Sequence, residues 1–281
     1  MLAHYAAPNQ RVAAASTGRR ALMRDPNRPS RVHPSDGDES EAALAPTFRS
    51  DVTAELVRSQ ASDADVVWAA RVSTVGEQSR AAFDEDPARS EGLIRYLMRN
   101  RHGTPFEHNS LTFYIQAPIF VFREFHRHRI GWSYNEESGR YRRLAPVFYL
   151  PDDDRPLLQT GKAGHYEFTP GSPEQHAVVV DETRRSVTVA YDAYARMLDA
   201  GVAREVARGV LPVATYSSMY ATCNARSLMA FLSLRVQAPD ALFPSAPQRE
   251  IHMVATQLET QFAQLMPITH RAFVDAGRVA P

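Results

Sequence analysis

Hydrophobic and polar positions follow regular periods only after about residue 51. Residues 1–50 mix Arg, Ser, Pro, Asp and Ala without a helical or strand period. A segment of that composition buries too little apolar surface to offset the entropy cost of ordering it. We therefore predict a disordered or loosely attached extension over residues 1–50, with Met23 as an alternative start, and one folded domain over residues 51–281.

The periodic part of the chain predicts one clear strand and several helices. Residues 111–116 alternate between apolar and polar side chains, as in a half-buried strand. Ser172 and Gln175 form a capping box around Pro173, which predicts a long helix ending at Gly201. Further helices are predicted at 63–73, 87–100, 203–210 and 224–235, after Pro118 and across 251–265, and the Pro-, Gly- and Asp-rich stretch 146–171 is predicted to be a loop. The fold class is therefore α+β, with helices packed on a sheet.

Composition excludes several classes of partner. Lys+Arg and Asp+Glu both total 32, so the chain has no net positive charge that would favour nucleic acid or an anionic membrane as a partner. The chain contains no run of eighteen apolar residues and no apolar core of a secretory signal near its start. The single cysteine, Cys223, excludes an intramolecular disulfide and argues against a thiol-ligated zinc site. We expect no membrane span and a cytoplasmic protein.

Candidate binding residues are concentrated in a short segment rich in arginine and histidine. Five of the seven residues from Arg123 to Arg129 are Arg or His. A solvated basic helix end is the ordinary explanation for such a cluster. Here, however, the cations are interleaved with Phe125 and Trp132 and lead into a small polar turn at residues 137–140. A glycine and an arginine in that turn can bring backbone amides and a guanidinium to a phosphate.

This segment resembles the signature of the flavin-dependent thymidylate synthases. The family pattern is Arg-His-Arg followed by Ser-x-Arg, and the chain has Arg127-His128-Arg129 and then Ser138-Gly139-Arg140. Eight residues separate the two parts, where the family commonly has seven, and we place the extra residue within 130–132. Two further blocks, 102–108 and 204–235, resemble the family in the same order. The resemblance covers about residues 60–270.

The resemblance implies a fold and a reaction. The fold would have helices packed on a mostly antiparallel central sheet, with residues 51–281 as the catalytic domain. The reaction would be reductive methylation of dUMP to dTMP, with methylenetetrahydrofolate as carbon donor, FAD as hydride carrier and NADPH as reductant, yielding tetrahydrofolate. The family also implies a homotetramer with active sites between subunits.

The resemblance further assigns roles to individual residues. Arg235 is expected to be catalytic, facing the pyrimidine and stabilising negative charge as N3 ionises, a task that suits a fixed guanidinium. Arg140 and Arg208 are expected to hold the dUMP phosphate. The implied substrate-binding residues are Glu124, Arg127, Glu137, Ser138, Gly139, Arg140, Arg208 and Arg235. The implied cofactor-binding residues are His102, Thr104, Glu107, Arg127, His128, Arg129, Glu136, Asn224 and Arg226, whereas Ala230 stands where some members carry an asparagine that contacts FAD.

Other interpretations of these residues remain open. Cys223 has no recognisable setting for an activated thiol, so we expect a packing residue. Ser138 has no dedicated base and is expected to position the substrate by hydrogen bonding. No metal is predicted, since His126 and His128 would point to different faces of the suspected helix. The competing functions are a non-catalytic nucleotide- or RNA-binding module and a flavoprotein of the same fold that acts on another nucleotide.

Overall fold

The central sheet is antiparallel, as expected. The computed structural model describes residues 45–81, 87–162 and 165–281. The strands in these ranges are β1 (Thr47–Arg49), β2 (Thr53–Gln60), β3 (Ser110–Pro118), β4 (Trp132–Glu136), β5 (Val147–Tyr149), β6 (Leu158–Lys162), β7 (His165–Thr169) and β8 (Tyr216–Cys223). Four of them form the sheet β2-β3-β8-β4, in which every pairing is antiparallel. The α+β class with a mostly antiparallel central sheet is confirmed.

The strand predicted at 111–116 lies inside β3, and its alternation is confirmed. Leu111, Phe113 and Ile115 are fully buried in the main core. The polar and aromatic residues between them are only partly buried. The sheet therefore has one face against the helices, and its apolar side chains pack there.

The predicted helices are present. They are α1 (Asp63–Val75), α2 (Pro87–Arg99), α3 (Ile119–Phe125), α4 (Pro173–Asp199), α5 (Arg204–Ala207), α6 (Ala225–Arg235), α7 (Arg249–Leu265) and α8 (Pro267–Asp275), with 3-10 turns at Gly76–Ala81, Thr104–Glu107 and Arg208–Val210. The capping box of α4 is formed, since Ser172 Oγ accepts from the Gln175 backbone N–H at 3.3 Å and Ser172 N–H donates to Gln175 Oε1 at 2.8 Å. Gly201 follows the end of this helix with φ of 79°.

Two expectations about local structure are wrong. The stretch 146–171 contains β5, β6 and β7 and is not a loop. β5 pairs in parallel with β1, about a hundred residues away in the chain, a pairing that a local pattern does not reveal. The described side chains of β6 are all exposed, so it lacks the buried alternation that marks a strand. In addition, α3 ends at Phe125, so His126 and His128 lie in the following turn rather than on a helix.

Most of the predicted N-terminal extension lies outside the described residues. Its last part does not, because β1 falls within residues 1–50 and pairs with β5. The main core joins the sheet to α1, α2, α3, α6, α7 and α8. A smaller core beneath α4 contains Phe148, Val187, Tyr191, Tyr194 and Ala207. Of the helices that the structure describes, none combines the length and the apolar character needed to cross a membrane.

Candidate active site

A cluster of aromatic rings holds the end of α3 against α6. Phe125 and Phe231 stack with ring centroids 4.8 Å apart, and Trp132 lies 5.4 Å from Phe231. Trp132 Nε1 also donates a hydrogen bond to the carbonyl oxygen of Ser227 at 3.3 Å. These contacts fix three elements, α3, β4 and α6, relative to one another. The polar residues beside the rings are positioned by this packing.

A tyrosine hydroxyl fixes the turn after α3. Tyr134 Oη lies 2.9 Å from the carbonyl oxygen of Phe125 and 2.8 Å from that of His128, so its proton is shared between two acceptors. Burial raises the pKa of Tyr134, which keeps the hydroxyl protonated and able to donate. The Tyr134 hydroxyl therefore holds the backbone at Phe125 and at His128, the middle residue of the Arg-His-Arg motif.

Arg235 lies at the end of α6 and contacts two residues of the motif region. Its Nη1 lies 2.5 Å from Glu124 Oε2, and its Nε donates to His128 Nε2 at 3.1 Å. Burial, and then the charge of Arg235, lower the pKa of His128 to about 4. His128 is therefore neutral near pH 7, with Nε2 as acceptor and the proton on Nδ1. We call Glu124, His128 and Arg235 the Arg235 cluster.

The geometry leaves part of the Arg235 guanidinium available. An arginine has five N–H donors, and the two short contacts above use two of them. A third, from Nη2, makes a longer contact of 3.4 Å with the carbonyl oxygen of Glu124. Only 16% of the side chain is exposed, so its position is well defined. The remaining donors can bind one further acceptor without rearrangement of the side chain.

A second group of residues collects at the end of β4, and we call it the phosphate cluster: Ser138, Gly139, Arg140, Glu205 and Arg208. Ser138 Oγ accepts from the Arg140 backbone N–H at 3.3 Å, and Arg140 Nη2 lies 3.2 Å from Glu205 Oε2. A Cβ on Gly139 would lie 3.4 Å from Arg208 Cδ. The structure therefore brings together the two arginines that were expected to share a phosphate.

Two acidic residues lie beside the phosphate cluster. Burial raises the pKa of Glu136, and the neighbouring Ser217 hydroxyl and the charges of His126 and Arg208 offset only part of that rise. Glu136, which the family resemblance assigns to the cofactor, therefore also lies within electrostatic reach of Arg208. The next residue, Glu137, forms an ion pair with Arg142 at 3.2 Å. Ser217 Oγ is buried and has no hydrogen-bond partner among the described residues.

A third group surrounds Arg226 at the start of α6, and we call it the Arg226 cluster. Arg226 Nη1 donates to Glu107 Oε1 at 2.5 Å, and its Nε donates to the main-chain oxygen of Pro281 at 2.6 Å. A Cβ on Gly103 would lie only 2.3 Å from Arg226 Cζ, so the guanidinium lies directly on the backbone there. Asn224 caps α6 by accepting from the Ser227 N–H at 2.8 Å.

Other predicted cofactor residues lie near the Arg226 cluster, on the surface. Thr104 follows Gly103 and begins a 3-10 turn that ends at Glu107. The ring of His102 lies 5.9 Å from that of Tyr96, and both side chains are exposed. The structure thus brings Thr104, Glu107 and Arg226 into one region of the surface.

The extra residue of the motif is accommodated in a turn. Gly131 has φ of 69°, a left-handed conformation that favours glycine, and its side-chain position faces Ser227 and Asn224. Ile130, in the stretch 130–132 where we place the extra residue, is 91% exposed. Arg127 and Arg129 on either side of His128 are exposed and make no ion pair with any residue that the structure describes.

The three clusters remain separate within one chain. Arg226 and Arg235 are nine residues apart on α6, which is about 14 Å at the rise of an α-helix. Among the described residues, no hydrogen bond or ion pair joins Arg140 or Arg208 to the Arg235 cluster. One chain therefore presents the Arg140–Arg208 pair, the largely buried Arg235 guanidinium and the more exposed Arg226 guanidinium at three places.

The only cysteine is packed in the core. Cys223 lies on β8, is 3% exposed, and is paired in register with Leu111 and Trp132. Burial raises the pKa of its thiol well above the ordinary value, so the reactive thiolate is not formed near neutral pH. Among the described residues, no group of three or more His, Cys, Asp or Glu side chains is placed to hold a metal ion.

Sequence reasoning missed three residues that contact the predicted ones. Glu205 pairs with Arg140, and it stands three residues before Arg208, so helical spacing could have indicated it. Ser217 lies beside Glu136 through the pairing of β4 with β8, which has no local signal. The contact of Pro281 with Arg226 joins residues 55 positions apart, and no pattern in the sequence predicts it.

Comparison with known proteins supports the family resemblance that the motifs indicated. Residues 55–268 match the family described as Thymidylate synthase complementing protein. A flavin-dependent thymidylate synthase of Streptomyces coelicolor is 64% identical over 234 residues, which cover 83% of this chain and 95% of the relative. One from Tropheryma whipplei is 55% identical over 238 residues, which cover 85% of this chain and 98% of the relative.

A solved structure extends the similarity to the fold. The UMP/dUMP methylase PolB from Streptomyces cacaoi, bound with 5-Br UMP, is 56% identical and superposes with a TM-score of 0.78. That match covers 85% of this chain and 100% of the PolB chain. The chain belongs to the flavin-dependent thymidylate synthase family.

Proposed function

We propose that this protein methylates dUMP to dTMP, with methylenetetrahydrofolate as carbon donor, FAD as cofactor and NADPH as reductant. The observation that carries the proposal is the fixed Arg235 guanidinium. It is 16% exposed and held by Glu124 and neutral His128, with donors left for a further acceptor. A cation fixed in this way can stabilise negative charge that develops on a pyrimidine ring.

The phosphate cluster supports a nucleotide monophosphate as substrate. Arg140 and Arg208 are brought together beside the Ser138–Gly139 backbone, and Glu205 holds Arg140 in place until a phosphate replaces it. Charge-assisted, often bidentate bonds from arginine are the strong class of phosphate contact. In the proposed reaction these residues bind and orient dUMP, while Arg235 contacts the ring.

The Arg226 cluster fits an anionic dinucleotide cofactor. Its guanidinium is fixed by two acceptors and still has 44% of its side chain exposed. Together with Asn224, and with the unpaired Arg127 and Arg129, it supplies the cationic and amide donors that a pyrophosphate requires. When bound, FAD supplies the hydride that completes the methyl group.

Absence of a reactive thiol supports a route without a covalent enzyme intermediate. The Cys223 thiol is buried and its pKa is raised, so it is not available to add to a uracil ring. In the proposed route Arg235 takes over the activation of the ring by stabilising the charge on the deprotonated pyrimidine. Glu124 and His128, which contact Arg235, are the candidate acceptors for the proton that leaves N3.

Separation of the three clusters supports an active site shared between copies of the chain. Arg226 and Arg235 are nine positions apart on α6, which corresponds to about 14 Å. A second copy would have to supply the residues that one chain places too far from Arg235. We propose the homotetramer with active sites between subunits that the family resemblance implies, in the cytoplasm, with activity in residues 51–281.

The ribonucleotide UMP is a second candidate substrate. It is favoured by the similarity to PolB, whose structure is described as that of a UMP/dUMP methylase. The phosphate cluster and Arg235 would bind the two nucleotides alike, since the roles proposed for them concern the phosphate and the pyrimidine, which UMP and dUMP share. The nucleotide that is methylated faster therefore has to be measured.

Turnover of purified protein tests the proposal directly. The protein should be yellow, and its absorbance should bleach with NADPH. With methylenetetrahydrofolate it should convert dUMP to dTMP, and UMP is supplied in a parallel reaction. A colourless protein with salt-dependent RNA affinity would instead indicate a binding module. A yellow protein that methylates neither nucleotide would indicate a flavoprotein acting on another substrate.

A further inference from the structure

Pro281 contacts the Arg226 cluster. Residues 276–281 follow α8, and we call them the C-terminal strap. The main-chain oxygen of Pro281, which is buried, accepts a hydrogen bond from Arg226 Nε at 2.6 Å. One residue earlier, the oxygen of Ala280 lies 3.4 Å from Arg101 Nη2, a longer contact. The strap therefore contacts a guanidinium that the proposed function uses for FAD.

The strap is attached to the domain before it reaches Arg226. Arg278 makes two 2.8 Å contacts with the Glu259 carboxylate, and both side chains are largely buried. Ser233 Oγ donates to the oxygen of Arg278 at 2.6 Å, and Leu242 N–H donates to the oxygen of Gly277 at 3.0 Å. Because these bonds hold residues 277 and 278, the path of the last three residues is defined.

Arg226 would be less well fixed without the strap. An unrestrained arginine side chain samples many rotamers, so ordering it when a ligand binds has an entropy cost. Glu107 fixes one end of the guanidinium through Nη1, and Pro281 fixes the other through Nε. With both contacts the plane of the group is determined, and three N–H donors remain for a ligand.

We propose that Pro281 is a positioning residue for cofactor binding: its main-chain oxygen holds Arg226 in the orientation that binds an anionic group of FAD. The inference rests on the proposed function, because it takes FAD as the ligand. Preorganisation of a binding group increases affinity by lowering the ordering cost of binding. The strap therefore acts on the cofactor without contacting it.

The test measures FAD affinity of the apoprotein by quenching of flavin fluorescence. Four proteins are compared: the full chain, a variant lacking residues 279–281, Arg226→Ala, and the combination of the two. The deletion keeps Arg278 and its bonds to Glu259. It should weaken FAD binding by about tenfold. In the Arg226→Ala background it should have no further effect, since the group it positions is gone.

Riboflavin and a matched arginine variant provide the controls. Riboflavin carries no phosphate, so the full chain and the deletion variant should bind it equally. Arg99→Ala removes a charge two residues before Arg101, at an exposed position without a described ion pair, and should leave FAD affinity unchanged. Equal losses for FAD and riboflavin would indicate a structural role for the strap and would overturn the inference.

The remaining outcomes separate this inference from the proposed function. A full chain that binds no FAD contradicts the proposed function itself. A full chain that binds FAD no more tightly than the folded deletion variant contradicts only the role of the strap, as do additive losses in the double variant. If the deletion variant does not fold, Arg101→Ala replaces it. That variant removes the contact between Arg101 and the oxygen of Ala280, and it should weaken FAD binding by about twofold to threefold. Unchanged FAD affinity would overturn the inference.

Discussion

Arg235 Nη1 and Glu124 Oε2 lie 2.5 Å apart, in an ion pair between the end of α6 and α3. The pair is largely buried on the arginine side, where only 16% of the side chain is exposed. A buried guanidinium without this carboxylate would be costly, because desolvation of an unpaired charge is unfavourable. Glu124 therefore stabilises the group that the proposed reaction uses, and the ring of the substrate has to bind beside the ion pair.

Replacement of Arg235 tests this relationship. We expect Arg235→Ala to lower turnover of dUMP by about 100-fold or more, because a donor aimed at developing charge is lost. Arg235→Lys should restore little, since an ammonium cannot contact Glu124, His128 and a substrate with the same planar geometry. Arg123→Ala is the matched control on α3, and this exposed residue should be dispensable. Rates of dTMP formation measure the effect, and full activity in the alanine variant would remove the catalytic assignment.

Stability should depend on pH through His128. The unfolded chain protonates this histidine near its ordinary value of 6.5, whereas the folded protein does so only near 4. Between these values the unfolded state binds more protons, so the free energy of unfolding decreases as the pH falls from about 6.5 to about 4. Protonation would also place a second positive charge beside Arg235 and remove the acceptor at Nε2.

Denaturant unfolding at several pH values checks the His128 prediction. In His128→Asn the decrease between pH 6.5 and 4 should be smaller than in the unchanged protein. His176→Asn is the control, because the side chain of His176 on α4 has no described hydrogen-bond or charged partner. Its pH dependence should match that of the unchanged protein. Identical curves for all three proteins would contradict the assignment of the shift to His128.

The phosphate cluster predicts an effect on substrate binding. Arg140→Ala and Arg208→Ala should each raise the KM for dUMP by about tenfold to a hundredfold, as expected when a charge-assisted phosphate contact is lost. Competition by deoxyuridine, which has no phosphate, should be nearly unchanged. Arg204→Ala is the control, since Arg204 is exposed on α5 one turn before Arg208. Equal loss of competition by deoxyuridine would show that the arginines support the fold rather than the phosphate.

The buried thiol should be dispensable for turnover. Cys223→Ala removes one sulfur atom from the core and should lower the free energy of unfolding by about 1 kcal/mol. Cys223→Ser should be less stable, because it buries a hydroxyl. Folded Cys223→Ala should retain its rate of dTMP formation. A folded variant without activity would mean that the thiol takes part in the reaction.

The sequence predicted the fold class and most helices because these depend on local periodicity and capping. The alternation of β3 and the capping box of Ser172 and Gln175 are local signals, and both are formed. β5 was missed because its partner, β1, lies about a hundred residues earlier. The predicted end of α3 was wrong because the hydroxyl of Tyr134, nine residues later, donates a hydrogen bond to the Phe125 carbonyl oxygen and holds the turn that follows.

The motif residues of the candidate site were predicted from the sequence. The residues that contact them in the structure were not. Arg235, Arg140 and Arg226 stand in motif blocks, so the resemblance indicated them directly. Their partners Glu205 and Pro281 are brought to them by tertiary packing. Glu136 stays a predicted cofactor residue; the pairing of β4 with β8 brings it beside Ser217, and it also interacts electrostatically with Arg208. Side-chain environment depends on such long-range pairing, which spacing alone does not encode.

A methyl group at Gly103 should disturb cofactor binding more than stability. In Gly103→Ala the added Cβ would lie 2.3 Å from Arg226 Cζ, so the guanidinium has to move away from Glu107 and Pro281. The backbone at Gly103 has φ of −72°, which alanine adopts without strain. The group displaced is the mobile end of a long side chain, so the fold should lose no more than about 1 kcal/mol.

Affinity for FAD and thermal unfolding together check the Gly103 prediction. Gly103→Ala should bind FAD about tenfold more weakly with nearly unchanged unfolding. Gly92→Ala is the matched control, because a Cβ there meets no atom within 4 Å and Gly92 lies inside α2. Alanine in a helix interior should raise stability by roughly 0.5–1 kcal/mol and leave FAD affinity unchanged. If Gly103→Ala bound FAD as tightly as the unchanged protein, the orientation of Arg226 would not determine cofactor affinity.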